Sequence, residues 1–381
     1  MTANRVCILL GGHFATAVGG AEYQAKCIVE ELVRQRAYRV SYFARNIPQD
    51  LREDGYRVAN IATRNRINRH AFFLDAPRLY AMLRREAPDV IYQRGLLPYT
   101  GVAALYARRS GAHLIFHAAH DDDVRQTPIA RPVRNRLRAI DRRLGLYGLR
   151  HADSVVVQSA QQATQLESAF GLHAAAIMRN FHPAPPEVGT KPNEINVLWV
   201  ANFKPAKRPE AFVALAERFR ERPDVRFHMV GACADSRYDP LRERMGRLEN
   251  LMYHGALDME AVNGLLTRAR VFVNTSESEG FPNTYIQAWQ RNVPVLTLEI
   301  DPDGVLEAER IGHRTGSVEG LVRRLADLVA APEVGEAMGR RARAYALAVH
   351  SERNFSILLD LIDRGIGDRD ASGALLKTSR S

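Results

Sequence analysis

The residues best placed to do chemistry lie in Asn274-Thr275-Ser276-Glu277-Ser278-Glu279-Gly280-Phe281-Pro282-Asn283 and in the run Thr284 to Gln290 behind it. The apolar run Ala269 to Val273 just before them reads as a strand. Pro282 suits the first position of a new helix, where its missing N–H costs nothing and its fixed φ is already helical. A strand that ends in polar residues and turns into such a helix points several backbone N–H groups at one spot. The helix dipole makes that spot attractive to anions. Glu279 stands at its edge, and Asn283 and Gln287 fall one turn apart on one helix face. A phosphate cradle beside a carboxylate and an amide suits a phosphorylated, hydroxyl-rich ligand, a nucleotide sugar first of all.

Positioning such residues takes strands and helices in alternation, and the chain has that pattern over most of its length, which predicts parallel sheets with crossover helices. Arg5 to Leu10, Arg39 to Phe43, Asp89 to Tyr92, His113 to Phe116 and Ser154 to Val157 are the expected strands of a first domain, with a helix over Ala21 to Arg34. Asn196 to Val200, Val225 to Val230, Asn250 to His254, Val271 to Val273 and Val293 to Leu298 are those of a second. The polar stretch with Pro183, Pro185, Pro186 and Pro192 between them reads as a linker. The expected fold is α/β, with two doubly wound parallel-sheet domains over 1–182 and 196–349, a linker over 183–195 and a disordered polar tail over 367–381. Ligands of open parallel sheets bind beyond the carboxyl ends of the strands. The residues there are Gly11, Gly12 and His13; Gln93, Arg94 and Gly95; His117 and His120; Gln158 and Ser159; Asn202 to Lys207; Gly231; Asn274 to Glu279; and Glu299. They gather where a cleft between two sheets is expected.

At 381 residues, 46% of them apolar, the chain can bury a full core in each domain. It has no run of about 18 apolar residues, so no membrane-spanning helix is expected. Its start lacks the charged and apolar regions of a signal peptide, so the expected place is the cytoplasm. Cys7, Cys27 and Cys233 are scattered without metal-ligand spacing and read as core packing in a reducing compartment. The net charge of +10 attracts phosphate, anionic lipid or nucleic acid without choosing among them. Arg131 to Arg150 carries seven arginines against Asp141 alone, with Val133, Leu137, Ile140, Leu144 and Tyr147 at helical spacing. It reads either as a core-facing stripe with a solvated basic face or as a surface for an anionic membrane on its inner side. Aromatic residues for base stacking are not interleaved with these arginines, which argues against nucleic acid. Asp121-Asp122-Asp123 invites a metal reading, but its place after a first-domain strand argues against one.

Three motifs in order carry a family resemblance: Gly19-Gly20-Ala21-Glu22, then Val200-Ala201-Asn202-Phe203-Lys204-Pro205-Ala206-Lys207-Arg208-Pro209, then Glu279-Gly280-Phe281-Pro282 followed by Pro294-Val295. With them the chain resembles the family 4 retaining glycosyltransferases of the group 1 type, which share the two-domain GT-B fold. The resemblance implies a nucleotide-diphosphate sugar donor, UDP- or GDP-linked, and no metal or other cofactor. It implies a glycan or lipid-linked acceptor in bacterial surface polysaccharide or glycolipid assembly. It also implies a C-terminal segment over about 350–366 that returns to the first domain. Here Phe355, Leu358, Leu359 and Ile362 have the helical spacing for that.

By the same resemblance Lys207 is the phosphate-binding lysine and Glu279 the first glutamate of a pair that receives donor-sugar hydroxyls. His120 is the histidine near the sugar, with His117 competing for the role, and Gly19 and Gly20 let backbone approach the diphosphate. Gly280, Phe281, Pro282 and Asn283 complete the donor loop, and Gly231 opens a base-contacting one. The chain departs from the pattern twice. The second glutamate falls on Gln287, which reads either as a ribose contact through its amide oxygen or as plain helix surface. The usual arginine falls on Asn202, a loss that Lys204 or Arg208 would have to make good. These departures keep a second class open, a non-catalytic nucleotide-sugar-binding partner, and the basic helix keeps a third, a membrane adaptor.

Overall fold

The structure, a computed structural model, describes residues 3–16, 19–48, 50–62, 72–125, 134–185 and 187–378. The chain divides into two compact units, Met1–Asn180 with Arg353–Ser381, and Phe181–Glu352. In the N-terminal unit the order is β1 Asn4–Leu9, α1 Gly20–Gln35, β2 Tyr38–Ala44, β3 Tyr56–Asn60, α2 Ala76–Glu86 and β4 Val90–Arg94. There follow α3 Pro98–Ser110, β5 His113–His117, α4 Arg134–Arg150, β6 Ser154–Val157, α5 Ala160–Phe170 and β7 Ala176–Ile177. The C-terminal unit runs β8 Ile195–Val200, α6 Pro209–Arg218, β9 Val225–Val230, α7 Asp239–Gly246, β10 Leu251–Tyr253, α8 Met259–Arg268 and β11 Val271–Asn274. It continues with α9 Asn283–Trp289, β12 Val295–Thr297, α10 Val305–Ala308, β13 Gly312–Arg314, α11 Val318–Ala330 and α12 Pro332–Val349. The last helix, α13 Phe355–Thr378, belongs to the N-terminal unit.

Each unit is one sheet. The strand orders are β3-β2-β1-β4-β5-β6-β7 and β10-β9-β8-β11-β12-β13, and the named strands pair in parallel throughout. In the second sheet the order reverses between β8 and β11, so the loops leaving those two adjacent strands form the switch point where such sheets bind ligands. Helices on both faces explain why the strands read as nearly unbroken apolar runs. Along β8, Val197 and Trp199 pack with Phe212 and Leu215 of α6, while Leu198 faces the other way with Val262 and Leu266 of α8. The helices start where side chains cap them: Ser159 Oγ accepts from Gln162 N at 3.1 Å, Asp258 Oδ1 from Ala261 N at 2.8 Å, and Ser317 Oγ from Gly320 N at 3.1 Å.

Several expectations need correction. The strands β3, β7 and β13 were not foreseen, and all three are sheet edges, where strands are short and less buried. The stretch taken as a linker is part of the C-terminal unit: β8 begins inside it at Ile195, Lys191 Nζ donates to Ala269 O, and Arg270 Nη2 donates to Pro192 O at 3.0 Å. Burial there brings the Lys191 amine down to about 8. The tail expected to be disordered from 367 is helical through Thr378. Its packed face is Phe355, Leu358, Leu361 and Ile362, with Leu361 in place of the expected Leu359. Tyr38 Oη donates to Asp363 at 2.7 Å and Arg369 pairs with Asp89, which fixes α13 to the first sheet.

The basic helix α4 is packed as well as charged. Gly145 and Gly148 are buried, and a Cβ at Gly148 would meet the backbone of Thr100 in α3 at 2.3 Å. Leu144 and Tyr147 join the core there, Asp141 accepts from Phe72 N and Phe73 N at 3.1 and 2.8 Å, and Ile140 stays 43% exposed. Residues 131–133, the start of the expected segment, lie outside the described residues. No helix among the described residues is long and apolar enough to cross a membrane.

Candidate functional site

In the C-terminal unit two loops meet at the switch point. The first leaves β8. Ala201 N donates to Val230 O at 3.0 Å, Phe203 N to Ala232 O at 2.9 Å, and Asn202 Oδ1 accepts from Ala232 N at 3.0 Å, so the start of this loop is laced to the loop after β9. Phe203 anchors it in the core against Trp199 and Tyr238, with ring centroids 5.6 and 5.5 Å apart. A single 3₁₀ turn, Pro205–Lys207, follows, and Arg208 takes a left-handed conformation, φ 44°, before Pro209 opens α6.

The second loop leaves β11 and docks on the first. Glu277 N donates to Ala206 O at 2.9 Å, Thr275 Oγ1 to Lys207 O at 2.6 Å, and Arg208 Nε to Thr275 O at 2.9 Å. The two loops thus hold each other, and their side chains meet at the top: Lys207 Nζ pairs with Glu279 Oε1, which also accepts from Ser276 Oγ at 2.9 Å. The two charged side chains are 22% and 19% exposed, so both remain within reach of solvent. An ammonium carries three donors, and one of them serves Glu279. Both protein bonds to Glu279 fall on Oε1, which leaves Oε2 as its oxygen for a hydroxyl donor. A cation and a carboxylate fixed side by side can take an anionic group and a hydroxyl of one ligand together.

The expected phosphate cradle of backbone N–H groups is only partly available. Ser276 N is used on Asn274 Oδ1 at 2.7 Å and Glu277 N on Ala206 O. Pro282 is the residue before α9 rather than its first, with extended ψ 120°, and α9 has only seven residues. Phe281 and Pro282 are buried; the Phe281 ring lies tilted against His350 with centroids 4.5 Å apart and so shapes the loop from the core side. Asn283 is half-buried and hydrogen-bonded to His182. Burial lowers the His182 imidazole to about 3, with His350 and Arg291 adding to it.

Gln287 does not share a face with Asn283 toward the site. It is 5% exposed, and its Nε2 donates to Asn263 Oδ1 at 3.2 Å and lies against Met259 Sδ. Of the two cations expected to make good the missing arginine, Lys204 is exposed. Arg208 is committed to Thr275 O and stands 3.6 Å from Glu299 Oε1. Gly231 is required where it stands: at φ +147° a Cβ would lie 1.8 Å from Ala201 O, and Tyr253 Oη donates to Gly231 O at 2.8 Å. Thr275, Ser276 and Glu277 lie within the motif first read from the sequence. Trp199, Met259 and Asn263 carried no signal there, because their contacts are long-range.

In the N-terminal unit the structure separates the two competing histidines. His117 is fully buried, with Nδ1 2.7 Å from Tyr92 Oη and 3.1 Å from Arg94 Nη1, and burial holds it neutral, well below the ordinary imidazole range. Arg94 is buried too, donating to Asn180 Oδ1 at 2.7 Å, so neither is offered to a ligand. His120 caps the 3₁₀ turn Asp121–Asp123, accepts from Asp122 N at 3.3 Å through Nδ1, and keeps its ring 38% exposed. Nδ1 as acceptor puts the proton of the neutral ring on Nε2. The three aspartates already have protein partners. Asp123 accepts from Leu96, Ala119 and His120 N–H groups, Asp121 accepts from Gln162 at 3.0 Å, and Asp122 faces His120 at 3.7 Å. Gly19 precedes α1 in an extended conformation and Gly20 begins it; residues 17 and 18 before them lie outside the described residues. His13, in the loop after β1, is buried and drawn down to about 4 by that burial, with Nε2 3.3 Å from Tyr56 Oη.

Known proteins match this chain in two ways. The family model for glycosyltransferase family 4 matches residues 18–180, and the model for glycosyl transferases group 1 matches 194–331. Among solved structures, the sucrose-phosphate synthase of Thermosynechococcus elongatus superposes with a TM-score of 0.75 at 16% identity, over 96% of this chain and 99% of that one. Anabaena HepE in complex with UDP and glucose gives 0.68 at 16% identity, over 97% and 100%. WaaG, a glycosyltransferase involved in lipopolysaccharide biosynthesis, gives 0.69 at 14% identity, over 94% and 98%. At such identities the likeness establishes the fold, and it is the GT-B fold of two Rossmann-like units. No curated protein sequence matches the chain.

Proposed function

Because the chain belongs to the group 1, family 4 glycosyltransferases, we propose that it moves a hexosyl group from a UDP- or GDP-sugar to a glycan or lipid-linked acceptor, with retention. The single observation that carries the reading is the Lys207–Glu279 pair at the switch point of the second sheet. As the bond to the diphosphate breaks, charge grows on its oxygens, and the fixed Lys207 ammonium stabilises that charge without reorganising. Glu279 Oε2 accepts from hydroxyls of the donor sugar and orients its ring. The departing phosphate takes the proton of the acceptor hydroxyl on the same face of the ring, so no protein nucleophile is needed. His120, the partly exposed one of the two candidate histidines His117 and His120, is proposed for the sugar side, and no metal is proposed for the step. Support for the donor class comes from the solved structure with UDP and glucose. Support for surface-polysaccharide or glycolipid assembly comes from the lipopolysaccharide enzyme with the same fold.

Calorimetric titration with UDP, GDP and ADP in EDTA, on wild type and Lys207→Ala, tests this reading. Micromolar binding of one nucleotide, weakened at least about tenfold in the variant, is the expected result. A folded wild type that binds none of the three sinks it. A second reading, a nucleotide-sugar-binding partner without turnover, draws on Gln287 turned onto Asn263 and Asn202 tied to Ala232 N. It predicts the same binding with neither sugar transfer nor slow donor hydrolysis.

A further inference from the structure

Three hydrogen bonds converge on Thr275, which is fully buried. Trp199 Nε1 stands 2.9 Å from Thr275 Oγ1, Oγ1 stands 2.6 Å from Lys207 O, and Arg208 Nε stands 2.9 Å from the Thr275 carbonyl. An indole N–H can only donate and a carbonyl can only accept, so the direction is fixed. The hydroxyl receives from Trp199 and commits its one proton to Lys207. The far end of this chain of bonds is rigid, because Trp199 is buried between Phe203 and Phe212, with centroids 5.6 and 6.2 Å away. Lys207 sits on a one-turn 3₁₀ segment with little packing of its own, and its long side chain has about 2 kcal/mol of rotamer entropy to lose. Where its amine can reach therefore depends on where its backbone is held.

We infer that Thr275 is a positioning residue: its hydroxyl, oriented by the Trp199 indole, holds the Lys207 backbone so that the amine stands beside Glu279. The inference rests on the phosphate-binding role proposed for Lys207. It assigns the polar group at Thr275 a duty that a side chain of equal shape without a hydroxyl cannot perform.

The test uses the full chain, whose lysines are Lys26, Lys191, Lys204, Lys207 and Lys377. After reductive ¹³C-methylation the Lys207 signal is assigned with Lys207→Arg, and Glu279→Ala marks where it falls without its carboxylate. Thr275→Val is expected to move the signal toward that mark, and Thr275→Ser to leave it in place. For whichever of UDP, GDP and ADP the wild type binds, Thr275→Val is expected to bind about tenfold more weakly and Thr275→Ser within about twofold of wild type. A folded Thr275→Val with an unmoved Lys207 signal, or with wild-type affinity, overturns the inference. Should that variant not fold, Trp199→Phe removes the indole donor together with part of the ring, keeps Thr275 intact, and is read by the same two outcomes. A wild type that binds no nucleotide defeats the proposed function, while the Lys207 signal still decides the relay.

Discussion

At the scale of single residues, Glu279 and His182 make different demands on the same unit. Glu279→Gln keeps the shape of the side chain and the Ser276 contact but ends the ion pair with Lys207. Because the pair is partly open to solvent, the melting temperature should change little, by the equivalent of about 1 kcal/mol or less. Sugar transfer should instead fall by about 10²–10³, since in the proposed role the carboxylate orients the donor, and the ammonium loses its fixed partner. A variant with wild-type kcat and normal folding would remove Glu279 from the mechanism. His182 bears on stability. Its imidazole is about 3 in the folded chain against 6.5 in the unfolded one, so between those values the unfolded state binds the extra proton. Stability is then unaffected above pH 6.5 and falls as pH drops toward 3, by about 1.4 kcal/mol per pH unit at most from this one group. Urea unfolding at pH 7, 6 and 5 should show that slope, and His182→Gln should reduce it by one proton. An unchanged slope in the variant would show that His182 is not the group responsible.

At the scale of elements, the site depends on how closely the loops after β8 and β9 approach. Gly231→Ala places a methyl 1.8 Å from Ala201 O at a φ that L residues rarely adopt. The neighbour is backbone and cannot swing aside, so a loss on the order of 3 kcal/mol is expected in the C-terminal unit, read by urea unfolding. Wild-type stability would mean that the two loops can part without cost. The same elements show what the sequence could and could not disclose. Apolar runs as continuous as that of β8 betray buried parallel strands, and the motifs then fall at strand ends by counting alone. Edge strands such as β13, three residues long, leave no such run. Which way Gln287 turns was equally hidden: helical spacing put it on the Asn283 face, but α8 offered Asn263 and Met259 across a separation of 24 and 28 residues. The bonds from Trp199 and to Lys207 span 76 and 68 residues. No local period records contacts of that range, so Lys207 and Glu279 could each be singled out through their motifs, while their pairing and its supports could not.

At the scale of the whole molecule, a net charge of +10 and a helix with exposed arginines bear on where the protein works. Packing has already used part of α4. Leu144, Gly145, Tyr147 and Gly148 are turned into the N-terminal unit, and Arg142 donates to Asp122 O and Arg125 O at 3.1 and 2.7 Å. Outward among the described side chains are Ile140, Arg138, Arg143 and Arg150, one apolar side chain and three cations. Such a surface suits an anionic bilayer better than a neutral one, because each arginine near the lipid headgroups contributes about 1 kcal/mol and a single isoleucine adds little. If the acceptor is lipid-linked, this face would hold the enzyme where its acceptor is. Sedimentation with phosphatidylcholine vesicles containing 30% phosphatidylserine, at low salt, should then carry the protein down, while pure phosphatidylcholine should not. Reversing two charges in Arg138→Glu/Arg143→Glu should weaken that binding by roughly ten- to a hundredfold, and added salt should weaken the wild type in the same direction. Nucleotide affinity should stay at the wild-type level in that variant, because Lys207 and Glu279 belong to the other unit. Equal binding to neutral and anionic vesicles, or an unaffected double variant, would reduce α4 to a helix with a solvated basic face.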